Sequence, residues 1–357
     1  MTLLVLKKDG DKMRELIKPQ KLNIGDKVAA VSLSWGGAGD NEIRWRYEQG
    51  RKRLEEHFGL EVVEMPNTLK GSEYVYCNPQ KRAEDLMQAF SDSSVKAIIS
   101  CIGGNDSIRM LPYIDFDVIQ KNPKIFMGYS DSTVTHYICM KAGISSFYGP
   151  AILSDFAENV TMPQYTADAV RRTLFSSEPI GEILPSPSWT GERLDWIIQN
   201  KNTARKFSPN RHYELLQGRG RVQGRLIGGC IEVWNFLKGT SLFPPLDYFD
   251  GAILFLETAE VFSPPWLIED ELRGYGAMGI LNRINAVFWG KPMSETYYEE
   301  YRDVIGKVLR EFGCEDTPVL YNGSFGHNEP KTVLPYGALA EIDCENLSIS
   351  ILESGVR

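Results

Sequence analysis

Hydrophobic and polar positions alternate in two rhythms between about residues 20 and 160. Short runs rich in β-branched residues predict buried strands, and apolar residues at helical spacing between those runs predict amphipathic helices. Strands that alternate with helices indicate an α/β fold, here a doubly wound, mostly parallel sheet of the flavodoxin-like kind. The predicted strands are KVAAVSL (27–33), LEVVEMP (60–66), VKAIISCIGG (95–104) and KIFMGYS (124–130), with helices at 41–59 and 78–92 between them.

The rhythm changes after about residue 160. A stretch rich in proline, serine and charged residues, PSPSWTGERLDWIIQNKNTARKFSPNRH, predicts a linker, and a second set of strand-like runs follows it. These runs are GRLIGG, GAILFLE, INAVFWG, TPVLYNG and LSISILE. We therefore expect an N-terminal α/β domain over residues 1–165, a linker over 166–220, and a C-terminal mixed β/α domain over 221–357.

Three glycine- and serine-containing turns, SWGGAG, GGNDS and GYSDS, follow predicted strands and should meet at the ligand-binding edge of the sheet. Ser130 in the GYSDS turn stands between a strand and a helix, as the nucleophile of a hydrolase elbow does. Gly128 fits the G-x-S-x-G motif, but Ser132 replaces its second glycine. The alternative is that Ser130 or Asp131 only caps the following helix.

A nucleophilic serine needs a base, and the chain has four histidines. His57 and His212 lie in charged or polar stretches that predict surface positions, and His136 lies too far along the helix after Ser130 to face that serine. His327 lies in the loop GSFGHNEPKTVLPYG, where function is common, although a structural role is the alternative.

The partner carboxylate should orient the imidazole and stabilise its charged form. Glu257 ends the apolar run GAILFLE. A carboxylate at the end of a buried strand is not explained by packing, which makes Glu257 a candidate, and Glu260 is the competing candidate. The alternative for either residue is a salt bridge or a cap at a strand end.

Composition excludes several classes of function. A formal charge of -8 and the lack of a Lys/Arg run argue against binding a nucleic acid polymer. Four dispersed histidines and six cysteines without a C-x-x-C pair supply no metal site and favour a reducing compartment. No apolar stretch reaches the roughly 20 residues that span a membrane, and no cleavage site follows the N-terminal apolar patch, so we expect a cytoplasmic protein.

Several strings, taken in order, resemble the family of serine peptidases that comprises LD-carboxypeptidases and MccF-like proteins. They are IGDKVAAVSL, CIGGNDSIRML, FMGYSDST, GGCIEVWNFLKGT, GAILFLE and FGH, and the resemblance extends over about residues 20 to 350. It implies a triad in which Ser130 is the nucleophile, His327 the base and Glu257 the orienting carboxylate. It also implies a reaction without metal or cofactor.

The resemblance implies further site residues. The backbone N–H groups of Gly104 and Asp131 would form an oxyanion hole. Asn105, Asp106 and Ser107, in the turn that contains Gly104, are closer to the MccF-like branch. That branch uses a loop tryptophan to stack on the adenine of its substrate, for which Trp196 is preferred to Trp189. Either tryptophan could instead anchor the loop to the core. The other substrate-binding candidates, all in the glycine turn, are Gly103, Asn105 and Asp106.

The expected function is hydrolysis of an amide bond in a small peptide or an aminoacyl-nucleotide-like substrate, as in microcin C immunity. The alternative within the family is an LD-carboxypeptidase of murein recycling. A non-catalytic protein that binds a small ligand on the same scaffold is the alternative of another class. The resemblance also implies a homodimer.

Overall fold

The computed structural model describes residues 15–357. Residues 1–14, with the N-terminal apolar patch and the start of the first predicted domain, lie outside the described residues. The described chain forms strands and α-helices with the following bounds. The strands are β1 Lys27–Val31, β2 Glu61–Glu64, β3 Val95–Ser100, β4 Ile125–Gly128, β5 Phe147–Tyr148, β6 Gly181–Glu182, β7 Ser188–Trp189, β8 Ser208–Pro209, β9 Glu214–Gln217, β10 Arg221–Cys230, β11 Ile253–Glu257, β12 Ala286–Gly290, β13 Val319–Gly323, β14 Leu334–Pro335, β15 Leu339–Asp343 and β16 Ser348–Ile351. The helices are α1 Arg44–Phe58, α2 Ser72–Cys77, α3 Pro79–Ser91, α4 Phe116–Lys121, α5 Thr133–Lys141, α6 Gln164–Leu174, α7 Ile231–Leu237, α8 Pro265–Ala277 and α9 Tyr298–Glu311.

The first sheet has the strand order β14-β5-β4-β3-β1-β2. Strands β1 to β5 are parallel and β14 pairs antiparallel to β5. The order 2-1-3-4-5 is that of a flavodoxin-like, doubly wound sheet, whose winding reverses between β1 and β3. The turns after these two strands meet there, because the backbone N–H of Trp35 donates to the carbonyl of Gly103 at 3.1 Å.

The second sheet has the order β6-β16-β15-β10-β11-β12-β13-β9. Its centre, β10 to β13, is parallel, and antiparallel strands flank it on both sides. The predicted fold class, a mostly parallel N-terminal sheet with a mixed C-terminal sheet, is confirmed. The expected linker, residues 166–220, contains most of α6 as well as β6 and β9, which lie at the two edges of this second sheet.

One hydrophobic cluster joins the two sheets. It includes Ile98 and Phe126 of the first sheet and Leu254 and Phe288 of the second, all fully buried. A second cluster covers the other face of the first sheet, where α1 and α6 pack. The shared cluster fixes the carboxyl end of β4 against the carboxyl end of β11, which positions the site described next. Within residues 15–357, no helix has the length and apolar character needed to cross a membrane.

Candidate active site

The strand-to-helix turn between β4 and α5 places Ser130 in a strained conformation. Its φ is 61°, in the left-handed region that residues other than glycine seldom adopt. A Cβ on Gly128 would lie 2.5 Å from Ser132 Oγ, so the small residue at 128 accommodates the serine that replaces the motif's second glycine. The turn therefore has the geometry of a nucleophile elbow, with strain at its serine.

Ser130, His327 and Glu257 form a continuous chain of contacts. The Nε2 atom of His327 lies 3.0 Å from Ser130 Oγ, and its Nδ1 atom lies 2.7 Å from Glu257 Oε2. The side chains of His327 and Glu257 are 2% and 0% exposed, so water does not compete for their contact. The fold thus brings together three residues from the ends of β4 and β11 and from the loop after β13.

The histidine loop approaches Glu257 closely enough to require a glycine. Gly326 has a φ of 92°, and a Cβ there would lie 2.5 Å from Glu257 Oε2. A side chain at 326 would displace the carboxylate from His327. The glycines in the predicted GSFGH loop therefore include one with a direct effect on the geometry of this pair.

Tyr148 supports the same chain of contacts, and the sequence analysis did not single it out. Its hydroxyl accepts a hydrogen bond from the backbone N–H of Ser130 at 3.1 Å and donates to Glu257 Oε1. Glu257 therefore has Tyr148 on one oxygen and His327 on the other. Its position in the sequence could have indicated a role at the site, because Tyr148 ends β5, the strand next to β4, at the same edge of the sheet.

Glu260 contacts the histidine on the nitrogen that faces the serine. Its Oε2 atom lies 2.9 Å from Nε2 of His327, and it also lies 3.7 Å from the guanidinium of Arg193. Burial disfavours the charged imidazole, but the two carboxylates outweigh it and raise the pKa of His327 to about 10. Burial likewise opposes the charge of Glu260, and contact with His327 and Arg193 still lowers the pKa of Glu260 to about 2.

The turn after β3 packs directly against Ser130. A Cβ on Gly103 would lie 2.7 Å from Ser130 Cβ, and one on Gly104, whose φ is 152°, would lie 2.2 Å from Ser34 Oγ. The buried carboxylate of Asp131 ties the turn to the elbow, because it accepts from Ser34 Oγ at 2.6 Å and from the backbone N–H of Ser107 at 2.9 Å. Burial raises the pKa of the Asp131 carboxyl.

Asp106 lies behind this turn and does not line the cavity. Its carboxylate accepts from the buried guanidinium of Arg82 at 2.8 Å and from Arg109 at 2.9 Å. Asn105, by contrast, lines the cavity together with Gly103 and Gly104. Asp106 therefore holds the turn in place from the protein side.

A cavity of about 660 Å³ opens above Ser130 and His327. One wall is aromatic: the rings of Trp35 and Trp196 stack with centroids 6.0 Å apart, and the Arg46 guanidinium lies 4.6 Å from the centroid of Trp196. Trp189 lies in β7 outside this lining, with Lys291 4.5 Å from its ring centroid. The structure thus places Trp196, but not Trp189, on the cavity.

A buried ion-pair network borders the cavity, which three of its members, Glu158, Arg205 and Glu329, line. Arg205 pairs with Glu158 and, at 2.9 Å, with Glu329. Lys331 contacts Glu329 at 3.3 Å and Asp155 at 2.6 Å, so five charged side chains are linked. Sequence patterns did not predict this network, because its members come from three distant parts of the chain.

The other histidines lie apart from the serine's reacting atom. His57 and His212 are exposed. His136 is fully buried and contacts Ser146 Oγ at 2.9 Å and the carbonyl of Gly128 at 3.0 Å. Across residues 15–357, no three side chains of the metal-ligating types His, Cys, Asp and Glu lie together so as to hold a metal ion.

Comparison with family models identifies both halves of the chain. Residues 28–149 match the LD-carboxypeptidase N-terminal domain and residues 223–342 match the LD-carboxypeptidase C-terminal domain. The fold and these matches define the class of protein as a serine peptidase of α/β architecture. The chain belongs to the LD-carboxypeptidase family, and the predicted family resemblance is confirmed.

Individual relatives match over nearly the whole chain. The crystal structure of an MccF-like protein from Streptococcus pneumoniae in complex with AMP is 34% identical, with a TM-score of 0.84, over 91% of this chain and 98% of its own. The microcin C7 self-immunity protein MccF of Escherichia coli is 28% identical over 93% of this chain and 94% of its own length. The "Probable murein peptide carboxypeptidase" of Bacillus subtilis is 28% identical over 95% of both chains.

Proposed function

We propose that this protein is an MccF-like serine hydrolase that cleaves an amide bond in a small peptide or an aminoacyl-nucleotide-like substrate. The observation that carries this proposal is the chain of contacts from Ser130 Oγ through His327 to Glu257, at the floor of a cavity large enough for a nucleotide-sized ligand. The elbow and its strained serine support the role of Ser130 as nucleophile.

The proposed first step forms an acyl-enzyme. Neutral His327 accepts the proton of Ser130 Oγ at Nε2 while Oγ attacks the carbonyl carbon of the amide. The tetrahedral intermediate then collapses as His327 gives that proton to the leaving nitrogen and the C–N bond breaks. Glu257 holds Nδ1–H and stabilises the imidazolium that forms in between.

The second step releases the acid. A water molecule gives a proton to His327 Nε2 and attacks the acyl carbon, and the proton then returns to Ser130 Oγ as the ester bond breaks. In both steps the negative carbonyl oxygen would be stabilised by the backbone N–H groups of Asp131 and Gly104. The close contact of the glycine turn with Ser130 and the Asp131 ties support this assignment.

Two observations favour an aminoacyl-nucleotide-like substrate. Trp35 and Trp196 form an aromatic wall that suits the stacking of a nucleobase. The MccF-like relative from Streptococcus pneumoniae was solved with AMP, and MccF was solved with aspartyl sulfamoyl adenosine. For this chain we propose the same class of ligand, with the base against the wall and the acyl group at Ser130.

Turnover of two substrates tests the proposal. The purified protein should hydrolyse an aminoacyl sulfamoyl adenosine, and Ser130→Ala should abolish this activity. An L,D-tetrapeptide of the murein type should be cleaved far more slowly under the same conditions. Faster cleavage of the tetrapeptide would instead assign the protein to murein recycling, and no cleavage of either substrate would favour a ligand-binding role.

A further inference from the structure

Two groups compete for the same nitrogen of His327. Nε2 lies 3.0 Å from Ser130 Oγ and 2.9 Å from Glu260 Oε2. A base must offer Nε2 without a proton, whereas a carboxylate at this distance favours the protonated nitrogen. The contact between Glu260 and His327 therefore opposes the proton transfer that the proposed mechanism requires, and something must relieve it during turnover.

Glu260 is the solvent-accessible member of the groups around His327. The charged or titratable groups that face His327 are Glu257 at the end of β11, Glu260 in the loop after it, and Tyr129 beside Ser130 in the elbow. The side chain of Glu257 is fully buried, but that of Glu260 is 44% exposed. Its second partner, Arg193, is 53% exposed and lies further away, at 3.7 Å.

Glu260 is also distinct among the acidic residues of the cavity. Five acidic side chains line the cavity, and two of these, Glu158 and Glu329, are paired with Arg205. Of the five, only Glu260 is in ion-pair contact with His327 within the described residues. A substrate that places a positive charge near its scissile carbonyl would therefore meet the Glu260 carboxylate.

We propose that Glu260 is a specificity-determining residue that binds a free α-ammonium group of the substrate, and that this exchange releases Nε2 of His327 to act as base. The inference rests on the proposed function, and it narrows the substrate class to aminoacyl compounds with an unblocked amino group. Once Glu260 pairs with the ammonium, the Nε2 proton leaves to water and the nitrogen can accept the proton of Ser130.

The distances suit an α-ammonium group. The contacts of 3.0 Å and 2.9 Å share Nε2, so the Glu260 carboxylate lies no further than their combined length from Ser130 Oγ. A carbonyl carbon poised for attack stands about 3–3.5 Å from the nucleophile, and the α-amino nitrogen is two bonds from that carbon. An aminoacyl group bound at Ser130 can therefore place its ammonium within hydrogen-bonding reach of Glu260.

A pair of substrates tests the inference by turnover. Alanyl sulfamoyl adenosine carries a free ammonium and an uncharged side chain, and its N-acetyl derivative lacks the charge. Wild type should prefer the free amine in kcat/KM by about tenfold to a hundredfold, the effect of one charge-assisted hydrogen bond. Glu260→Gln should lower kcat/KM for the free amine and raise it for the N-acetyl compound at pH 7, because His327 then loses its proton more easily.

The control is Glu311→Gln, the same chemical change at a surface ion pair with Arg273 that does not line the cavity. It should leave both substrates unaffected. Equal changes on both substrates in Glu260→Gln would overturn the inference, since loss of the Arg193 contact or of stability would not discriminate between them. Equal kcat/KM values of the wild type for the free amine and the N-acetyl compound would also overturn the inference.

A binding measurement separates this inference from the proposed function. Ser130→Ala should bind the free amine more tightly than the N-acetyl compound in calorimetric titration, and adding Glu260→Gln should remove the difference. If this binding preference is found but the wild type turns over neither substrate, the role of Glu260 in binding the ammonium is supported and the proposed hydrolase function is rejected. If the wild type turns over substrate but shows no binding preference, the role of Glu260 is rejected and the proposed hydrolase function is supported.

Discussion

Two carboxylates act on opposite nitrogens of one imidazole. Glu257 is buried against Nδ1 of His327, where it suits a permanent orienting role, and Glu260 lies against Nε2 at the edge of the cavity. Position in the sequence marked both as candidates, because Glu257 ends the apolar run that forms β11 and Glu260 follows three residues later. Their difference could not be predicted, since it depends on which nitrogen each side chain reaches after the loop has folded.

The pH dependence of kcat/KM should reflect both carboxylates. In the proposed mechanism neutral His327 is the active form. Its raised pKa keeps the imidazole protonated to higher pH, so activity should be lost on acidification at a higher pH than for an ordinary histidine, near 6.5. A profile of kcat/KM between pH 4 and 10 should show this acidic limb above pH 7, and Glu260→Gln should move the limb to lower pH. Activity that stays constant down to pH 4 would contradict a histidine base.

Tyr148→Phe should lower kcat with little effect on KM. The change removes the hydroxyl that donates to Glu257 and accepts from the Ser130 N–H, and a hydrogen bond to a charged group contributes about 1.5–3 kcal/mol, or about tenfold to a hundredfold in rate. Without the hydrogen bond from Tyr148, the Glu257 carboxylate should attract the protonated imidazole more strongly. The pKa of His327 should therefore rise, and the acidic limb of the pH profile should move to higher pH.

The matched control for that change is Tyr336→Phe. Its hydroxyl is equally buried but donates to the carbonyl of Gly228 at 2.9 Å, outside the Ser130 contact chain. It should lower stability while leaving the pH profile in place. Matching losses of kcat in the two variants would mean that Tyr148 acts through stability alone.

At the scale of elements, periodicity predicted the long segments well. Strands β1 to β4 and helices α1 and α3 lie within or close to the expected ranges, since each buries a regular apolar face. Short elements were missed because they carry too few residues for a pattern. The two-residue strand β14, for example, forms because Leu334 pairs with Tyr148 of the neighbouring strand β5 in the first sheet.

The loop that carries Trp196 is the element on which substrate choice should depend. If a nucleobase stacks there, Trp196→Ala should reduce kcat/KM for an aminoacyl sulfamoyl adenosine about tenfold to a hundredfold, corresponding to roughly 1–3 kcal/mol for a stacked base. Cleavage of a murein-type tetrapeptide should change far less. Trp189→Ala should discriminate little between the two, because that ring lies outside the cavity.

The competing role for Trp196 is to anchor its loop through Trp35 and Arg46. In that case the substitution would lower the melting temperature and slow both substrates equally. Kinetics on both substrates and a melting curve from one preparation of Trp196→Ala decide between stacking and anchoring.

At the scale of the whole molecule, the buried ion-pair network connects all three parts of the chain. Asp155 and Glu158 belong to the N-terminal part, Arg205 to the middle segment, and Glu329 and Lys331 to the C-terminal part. The network lies beside the cavity, and two of its members, Glu329 and Lys331, belong to the histidine loop itself. It therefore couples the stability of the fold to the position of His327.

Lys331→Met should be strongly destabilising. The change leaves Asp155 buried without its cation, and breaking one partner of a buried pair costs about 3–5 kcal/mol. Lys307→Met, at an exposed pair with Glu269, should cost far less, because water screens a surface ion pair. Free energies of unfolding from urea denaturation would measure both, and equal values for the two variants would show that burial of the network contributes nothing.

The long-range arrangement was accessible from sequence only through the family resemblance. Composition and periodicity left Ser130, His327 and Glu257 as separate candidates with structural alternatives, since nothing local relates residues almost 200 positions apart. The ion-pair network and the two-sheet core escaped prediction for the same reason. Tertiary packing determines which residues come into contact in both, and a short stretch of sequence carries no information about that packing.

Reaction with a fluorophosphonate tests the central claim most directly, because the reagent forms a covalent bond only with an activated serine. The account predicts one adduct per chain, found by mass spectrometry on the peptide that contains Ser130, and strongly reduced labelling of His327→Ala. An unlabelled wild-type protein, or an adduct on a serine other than Ser130, would contradict it.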